Sequence, residues 1–391
     1  MRGISRSAST RRRAPRGHSA LALTAMVLAV SASGPSARAA ETRWVAPFGM
    51  NQGTYAAGVA HDDSGVYVVG GGDGQFPDGT HANASNPAFV RKYDFDGQLL
   101  WSREFGTGQY NFASAVAVRP GGILIAGMFH GSRYGAGVGY VRELDPAGDV
   151  LWSRTIGAGN NDVSVQAMTV VPNAIYVAGT TWGKFPGQPS TGVSEFLMKL
   201  GPDGTKRWVR EFGGPAGGAA SDVYAAGRSI YVAGDRYSND AERAEVRRYD
   251  PRGRLRWSRL LHTQHATSIT ARGGAVYVGS TTYSPRFRDS TGHLQRFDSA
   301  GNEIWSRTVP RFVPDVETAP GVVYATGGAI RAFAPADGTP RWSYVPDAFL
   351  FKTYIQALDL ADGEAYFCGN GRVAGDPIEH DDSFLAKVQL G

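Results

Sequence analysis

One cysteine, eight histidines and no long apolar run beyond the first forty residues are all that this chain of 391 residues offers in those categories. A lone Cys368 excludes an intramolecular disulfide, so stability has to come from burial. Its place in the apolar run "EAYFCG" predicts a small buried side chain rather than a reactive thiol. No helical periodicity follows the first forty residues, and no Gly-x-Ser-x-Gly elbow, P-loop or strand-to-helix Gly-x-Gly-x-x-Gly occurs. These absences remove the hydrolase and nucleotide-binding classes that such motifs carry. They leave open a site whose groups come from several parts of the chain.

The first 39 residues hold seven arginines and no acid, an apolar stretch from about Leu21 to Val30, and the small-residue site Ala37-Arg38-Ala39. That pattern predicts a secretory signal, removed near Ala40, with a mature chain over residues 40–391. The pair Arg11-Arg12 leaves the general and twin-arginine routes both open. Removal takes Lys plus Arg from 40 to 33 against 35 Asp plus Glu, so the net charge falls from +5 to near −2. The basic balance leaves with the signal, which excludes nucleic acid as a partner. With no cysteine at the cleavage site, no sorting tail and no second apolar segment, the expected product is a secreted monomer, extracellular or periplasmic, with no membrane span, free or held by partners.

What the chain does have is glycine, 52 of them, and a repeat. "DGQLLWSREFG" at residues 96–106 returns as "AGDVLWSRTIG", "DGTKRWVREFG", "RGRLRWSRLLH" and "AGNEIWSRTVP". Seven of the eight tryptophans, Trp44, Trp101, Trp152, Trp208, Trp257, Trp305 and Trp342, occupy equivalent places, spaced by 57, 51, 56, 49, 48 and 37 residues. A glycine stands four residues before six of them, which predicts a tight hairpin turn with positive φ at that glycine. Upstream lies an alternating segment such as "AFVRKYD", and before it an apolar run such as "IYVAG", a strand buried on both faces. A small-residue alternation such as "ASAVAV" comes first. Four short strands per period, repeated seven times without helices, predict an all-β fold, a seven-bladed β-propeller of four-stranded antiparallel blades.

After the expected cleavage, "ETRWVAPFG" is a tryptophan strand with nothing before it, and "SFLAKVQLG" is an alternating strand with nothing after it. Each supplies what the other lacks. The N-terminal strand should therefore complete the last blade and close the ring. The tryptophans are expected to pack once per blade rather than to form a ligand set.

The segments "WSREFG", "WVREFG", "VYVVG", "IYVAG" and "GTTWGKFPGQPSTGVSEFLMKLGPDG" resemble the SBBP repeat, a seven-bladed β-propeller repeat of secreted proteins. The likeness is clear in the first four periods and faint in the fifth to seventh, where the Phe-Gly after the tryptophan is lost. The Gly-x-x-x-Trp spacing also looks like the tryptophan-docking pattern of quinoprotein (PQQ) propellers and of scaffold propellers in outer-membrane assembly. The eight blades and vicinal cysteines of many quinoprotein dehydrogenases are absent. The resemblance thus implies a fold and no reaction, and no cofactor is expected.

In such a blade the first-to-second and third-to-fourth connections emerge on one face, and the remaining loops on the other. The first kind are short; the second vary from "ATGGAIRAF" to "GGDGQFPDGTHANASNP" and are polar. Function is expected on that long-loop face. Its candidate binding residues are Asn51, Gln52, Gln109, Asn111, Asn160, Asn161, Asp162, Trp182, Phe185, His262 and His265. Trp182, off the repeat, suits either a sugar ring or packing within its own loop. His262 and His265 have no third ligand placed by sequence, so no metal is assigned, and "HDDSG" and "EHDDS" lack the alternating oxygens of a calcium loop. No catalytic residue is assigned either. Three classes stay open: a non-enzymatic binding or scaffold module for a protein or polysaccharide, a lectin-like glycan binder, and an enzyme with an axial site. Aromatic residues repeated at one loop position would mark the second and do not occur; an acidic or histidine cluster at the axis would mark the third.

Overall fold

The computed structural model describes residues 40–50, 53–78, 84–130, 137–157, 162–188, 192–238, 241–283, 290–346, 349–373 and 382–391. The expected signal, along with Asn51, Gln52, Asn160 and Asn161, lies outside them. The described residues form one compact unit. Its described strands make seven four-stranded antiparallel sheets and no helix.

Six blades follow chain order, spanning residues 54–105, 110–156, 163–212, 218–260, 265–310 and 316–344. The seventh takes Phe349–Ala361, Glu364–Val373 and Asp382–Gln389 and adds the N-terminal strand Glu41–Phe48 as its outer strand. Each blade's first strand touches the first strand of the next, and Thr54–Asp62 touches Phe349–Ala361, so the sheets close a ring. The expected propeller and its closure are what the structure shows. Inner strands line the axis, the apolar runs "VYVV" and "IYVA" lie buried in the second strands, and the tryptophan strands form the rim.

The repeat encodes how each blade holds the next. A tight turn precedes six of these tryptophans, and in four of the turns an aspartate, Asp94, Asp145, Asp250 or Asp298, accepts the N–H groups two and four residues on with one carboxylate oxygen. Each such turn places a positive-φ glycine against the tryptophan of the preceding blade: Gly97 on Trp44, Gly204 on Trp152, Gly253 on Trp208 and Gly301 on Trp257. The indole N–H then donates to a carbonyl of the same turn, Trp101 to Pro146 at 3.1 Å and Trp257 to Ser299 at 3.1 Å. Two residues on, the arginine of Trp-x-Arg lies over the indole, and Arg210, Arg259 and Arg307 also donate to the glycine carbonyl, Arg259 to Gly301 at 2.9 Å. Within a blade, register sets a cation between two rings: Tyr67, Lys92 and Trp101 are cross-strand partners, as are Tyr176, Lys199 and Trp208. The tryptophans are thus seam residues, most of them half-buried.

Candidate functional site: the axial channel and the long-loop face

A bulge recurs in six inner strands, for instance between Ala56 and Gly58 and between Ala220 and Asp222. The bulged residues, among them Ser114, Gln166, Thr267 and Gln356, line a cavity of about 370 Å³ at the axis. Near its long-loop mouth stands the ring pair Tyr55–Phe112 of the first and second blades, with centroids 5.7 Å apart; Phe312 and Tyr354, of the neighbouring sixth and seventh blades, pair at 5.2 Å.

Pairing register aligns the residues just past the bulge: Gly58, Ala115, Ala167, Asp222, Ser268 and Ala357, with Asp315 in the corresponding place before the shorter strand of the sixth blade. Two positions further along lie Ala60, Ala117, Thr169, Tyr224, Thr270, Glu317 and Asp359. The first three blades therefore give the channel a small-residue wall. The later blades give it an acidic one.

Asp222 accepts from Val223 N–H and, across the seam, from Ile269 N–H, each at 2.7 Å. Asp315 does the same with Val316 and Leu358, each at 2.8 Å, and also accepts from the Ser268 hydroxyl. Both carboxylates staple neighbouring inner strands. Burial nevertheless pushes Asp222 up to about 6, and burial together with the nearby Asp222 charge raises Asp315. Glu317 is raised well above the carboxylate range by burial and by the charges of Asp315, Asp359 and Asp222. Its one hydrogen bond is a long one, from Thr318 N–H at 3.3 Å. Asp359 binds His61 Nδ1 at 2.6 Å where the seventh blade meets the first, and this bond raises the His61 pKa.

On the long-loop face the predicted residues spread over several seams. Asn111 is buried as a brace, its amide donating to Asn86 carbonyl and its side-chain oxygen accepting from Thr107 N–H; Gln109 is exposed beside it. Asp162 accepts from Gly137 N–H with its carboxylate and from Trp182 N–H with its carbonyl. The loop carrying Trp182 is pinned from below: Phe185 is fully buried against Phe196, its N–H is held by the Glu211 carboxylate, and the Gln188 side chain accepts from Glu211 N–H. Phe185 therefore packs rather than faces a ligand, while Trp182 stays 48% exposed. The equivalent loop of the first blade repeats the device with Phe76 and Glu104.

His262 is exposed and stands apart from His265. His265 instead meets two carboxylates of the fourth blade, Asp235 at 2.8 Å and Glu242 at 3.6 Å. Those acids lie 30 and 23 residues upstream of it, too far for spacing to reveal them. The "HDDSG" segment is a plain turn in which Asp62 accepts from Ser64, and Cys368 is fully buried, its thiol pKa raised by that burial.

A family model, PQQ_2, described as outer membrane protein assembly factor BamB, matches residues 242–375, which fall in the later blades. The curated proteins contain no match to this chain. Among solved structures, the chain is similar to the WD40 β-propeller domain of Doa1, with a TM-score of 0.56 and 14% identity over 88% of this chain and 95% of that one. It is similar to BamB from Moraxella catarrhalis, with a TM-score of 0.50 and 14% identity over 86% and 85% of the two chains. It is also similar to Chaetomium thermophilum Sqt1 bound to the N-terminus of ribosomal protein L10, with a TM-score of 0.51 and 13% identity over 84% and 86%. At these identities the likeness is one of fold: the chain is a β-propeller, and its residues 242–375 match the PQQ_2 model.

Proposed function

We propose that this chain is a non-enzymatic binding or scaffold propeller of the cell envelope or extracellular space, whose partner, a protein or polysaccharide, docks on the long-loop face. One observation carries the reading: Trp182 is nearly half exposed on a loop that Phe185 and Glu211 hold rigid. A large aromatic shown to solvent by a pinned loop loses little freedom on binding, which is the character of an interface anchor. The aromatic mouth of the channel, Tyr55 with Phe112, extends that surface toward the axis. The match to an outer membrane assembly factor supports a scaffold role in the envelope, and the arginine-rich leader supports export. Retention of envelope proteins and binding to a glycan array, measured for the wild type, Trp182→Ala and the rim variant Leu151→Ala, test this. Trp182→Ala should weaken binding at least about 10-fold and Leu151→Ala should not. Equal retention by all three overturns the reading.

The axial acids favour a second reading, an enzyme that uses Glu317 as a proton donor. Against it, Asp222 and Asp315 spend their oxygens on backbone N–H groups of the seams, which leaves Glu317 without a placed partner for acid–base work. Turnover that vanishes in Glu317→Gln would establish it.

A further inference from the structure

We propose that His265, Glu242 and Asp235 form a binding site for a single divalent transition-metal ion of the zinc type, at the seam of the fourth and fifth blades on the long-loop face. The site goes beyond the binding role above and does not rest on it. His265 opens the strand His265–Arg272; Asp235 lies near the end of Ser229–Tyr237, and Glu242 begins the adjacent strand Glu242–Tyr249. One ligand atom from each of the three lies within 4.8 Å of the others.

The two contacts of the imidazole differ in kind. Nδ1 lies 2.8 Å from Asp235 Oδ2, a hydrogen bond, and the other Asp235 oxygen accepts from Ala266 N–H at 2.9 Å, so that carboxylate is fixed. Nε2 lies 3.6 Å from Glu242 Oε2, beyond the usual hydrogen-bond range. It is close to the spacing of two ligands on one tetrahedral ion, about 3.4 Å for bonds of about 2.1 Å. Asp235 thereby takes the place of the carboxylate that orients a metal-binding histidine: it holds the Nδ1 proton and turns the Nε2 lone pair toward Glu242. The Tyr283 ring, edge-on at 5.2 Å, packs against the imidazole.

The arginines that flank the cluster are turned to other partners. Arg236 reaches Glu245, and Arg243 donates to the Leu261 carbonyl. Two carboxylates thus face one imidazole. One nitrogen and few oxygens suit zinc rather than calcium, which takes six or more oxygens. Glu242 and His265 are partly exposed, so coordination positions remain for water or for a carboxylate or imidazole from outside. The rival arrangement is an imidazolium held between two carboxylates with no ion.

Chelator-stripped protein titrated with Zn²⁺ by calorimetry, and with Co²⁺ by visible absorption, separates the two. One equivalent of Zn²⁺ should bind, and Co²⁺ should give the intense visible bands of a site with four or five ligands. His265→Ala should abolish both signals, and Glu242→Gln and Asp235→Asn should each weaken Zn²⁺ binding about 10- to 100-fold. Glu242 lies at the surface, so Glu242→Gln keeps the test valid if His265→Ala misfolds. Absence of saturable binding, or unchanged binding in Glu242→Gln, overturns the proposal.

Discussion

The indole of Trp257 in the fourth blade sits so close to Gly301 in the turn of the fifth that an added β-carbon would stand 2.9 Å from the ring. Gly301 and Gly121 share nearly the same positive φ, 82° and 81°, yet a β-carbon at Gly121 meets nothing within 4 Å. The backbone cost of alanine at such an angle is about 1–2 kcal/mol in both. Gly301→Ala should therefore lose at least ~1 kcal/mol more than Gly121→Ala in chemical denaturation, the excess being the disturbed seam. Equal losses would mean that the turn does not bear on the indole.

Phe185 and Trp182, three residues apart, should separate stability from binding. Phe185→Ala empties a buried position against Phe196 and should cost about 3–5 kcal/mol. Trp182→Ala should stay within about 0.5 kcal/mol of the wild type in the same denaturation series.

Closure rests on the strand Glu41–Phe48, which pairs within the seventh blade while Phe48 packs on Phe76, Phe89 and Tyr93 of the first. Phe48→Ala should cost roughly 3 kcal/mol or more and lower the calorimetric melting temperature accordingly. An unchanged melting temperature would show that this strand is not part of the cooperative unit.

The acidic wall of the channel makes stability depend on pH with a definite sign. Unfolded, its carboxyl groups ionise near pH 4; folded, Asp222 is pushed up to about 6, and Asp315 and Glu317 are raised as well. The folded state binds more protons in this window, so their contribution is fully present below about pH 4 and is lost as pH rises through about 6 and above. Glu317→Gln removes one of these charges. Its melting temperature should exceed that of the wild type at pH 8 and match it at pH 4.

The sequence disclosed the fold because a blade is written locally. Tryptophan, glycine and an apolar run recur at fixed offsets, and the N-terminal segment Glu41–Phe48 carries the tryptophan-strand pattern that the seventh blade uses as its outer strand. The aspartate of Asp94-x-x-Gly97 was equally legible, since it repeats in most turns, but its role appears only when both N–H groups are seen on one oxygen. The site was less legible for a physical reason. Asp222, Asp315 and Glu317 stand on different blades, and His265 meets Asp235 and Glu242 across a seam, so no spacing joins them. Phe185 is an aromatic in a polar loop, which suggests a ligand contact, but the Phe-Pro pair it shares with Phe76 is the mark of a buried loop anchor.

Because the indoles of Trp44, Trp101, Trp208, Trp257 and Trp305 each donate forward to a turn of the next blade, the molecule is built like a ring oligomer of seven quasi-equivalent subunits strung on one chain, joined head to tail. Heterologous contacts of this kind do not fix their own number; only the angle at each seam makes seven of them meet. Excising one blade would leave a donor indole at one edge and an acceptor turn at the other, unsatisfied but undamaged. Those two surfaces are complementary between molecules as well as within one. The failure of such a shortened chain would be intermolecular, an open coil of copies adding end to end, with domain swapping as its first step.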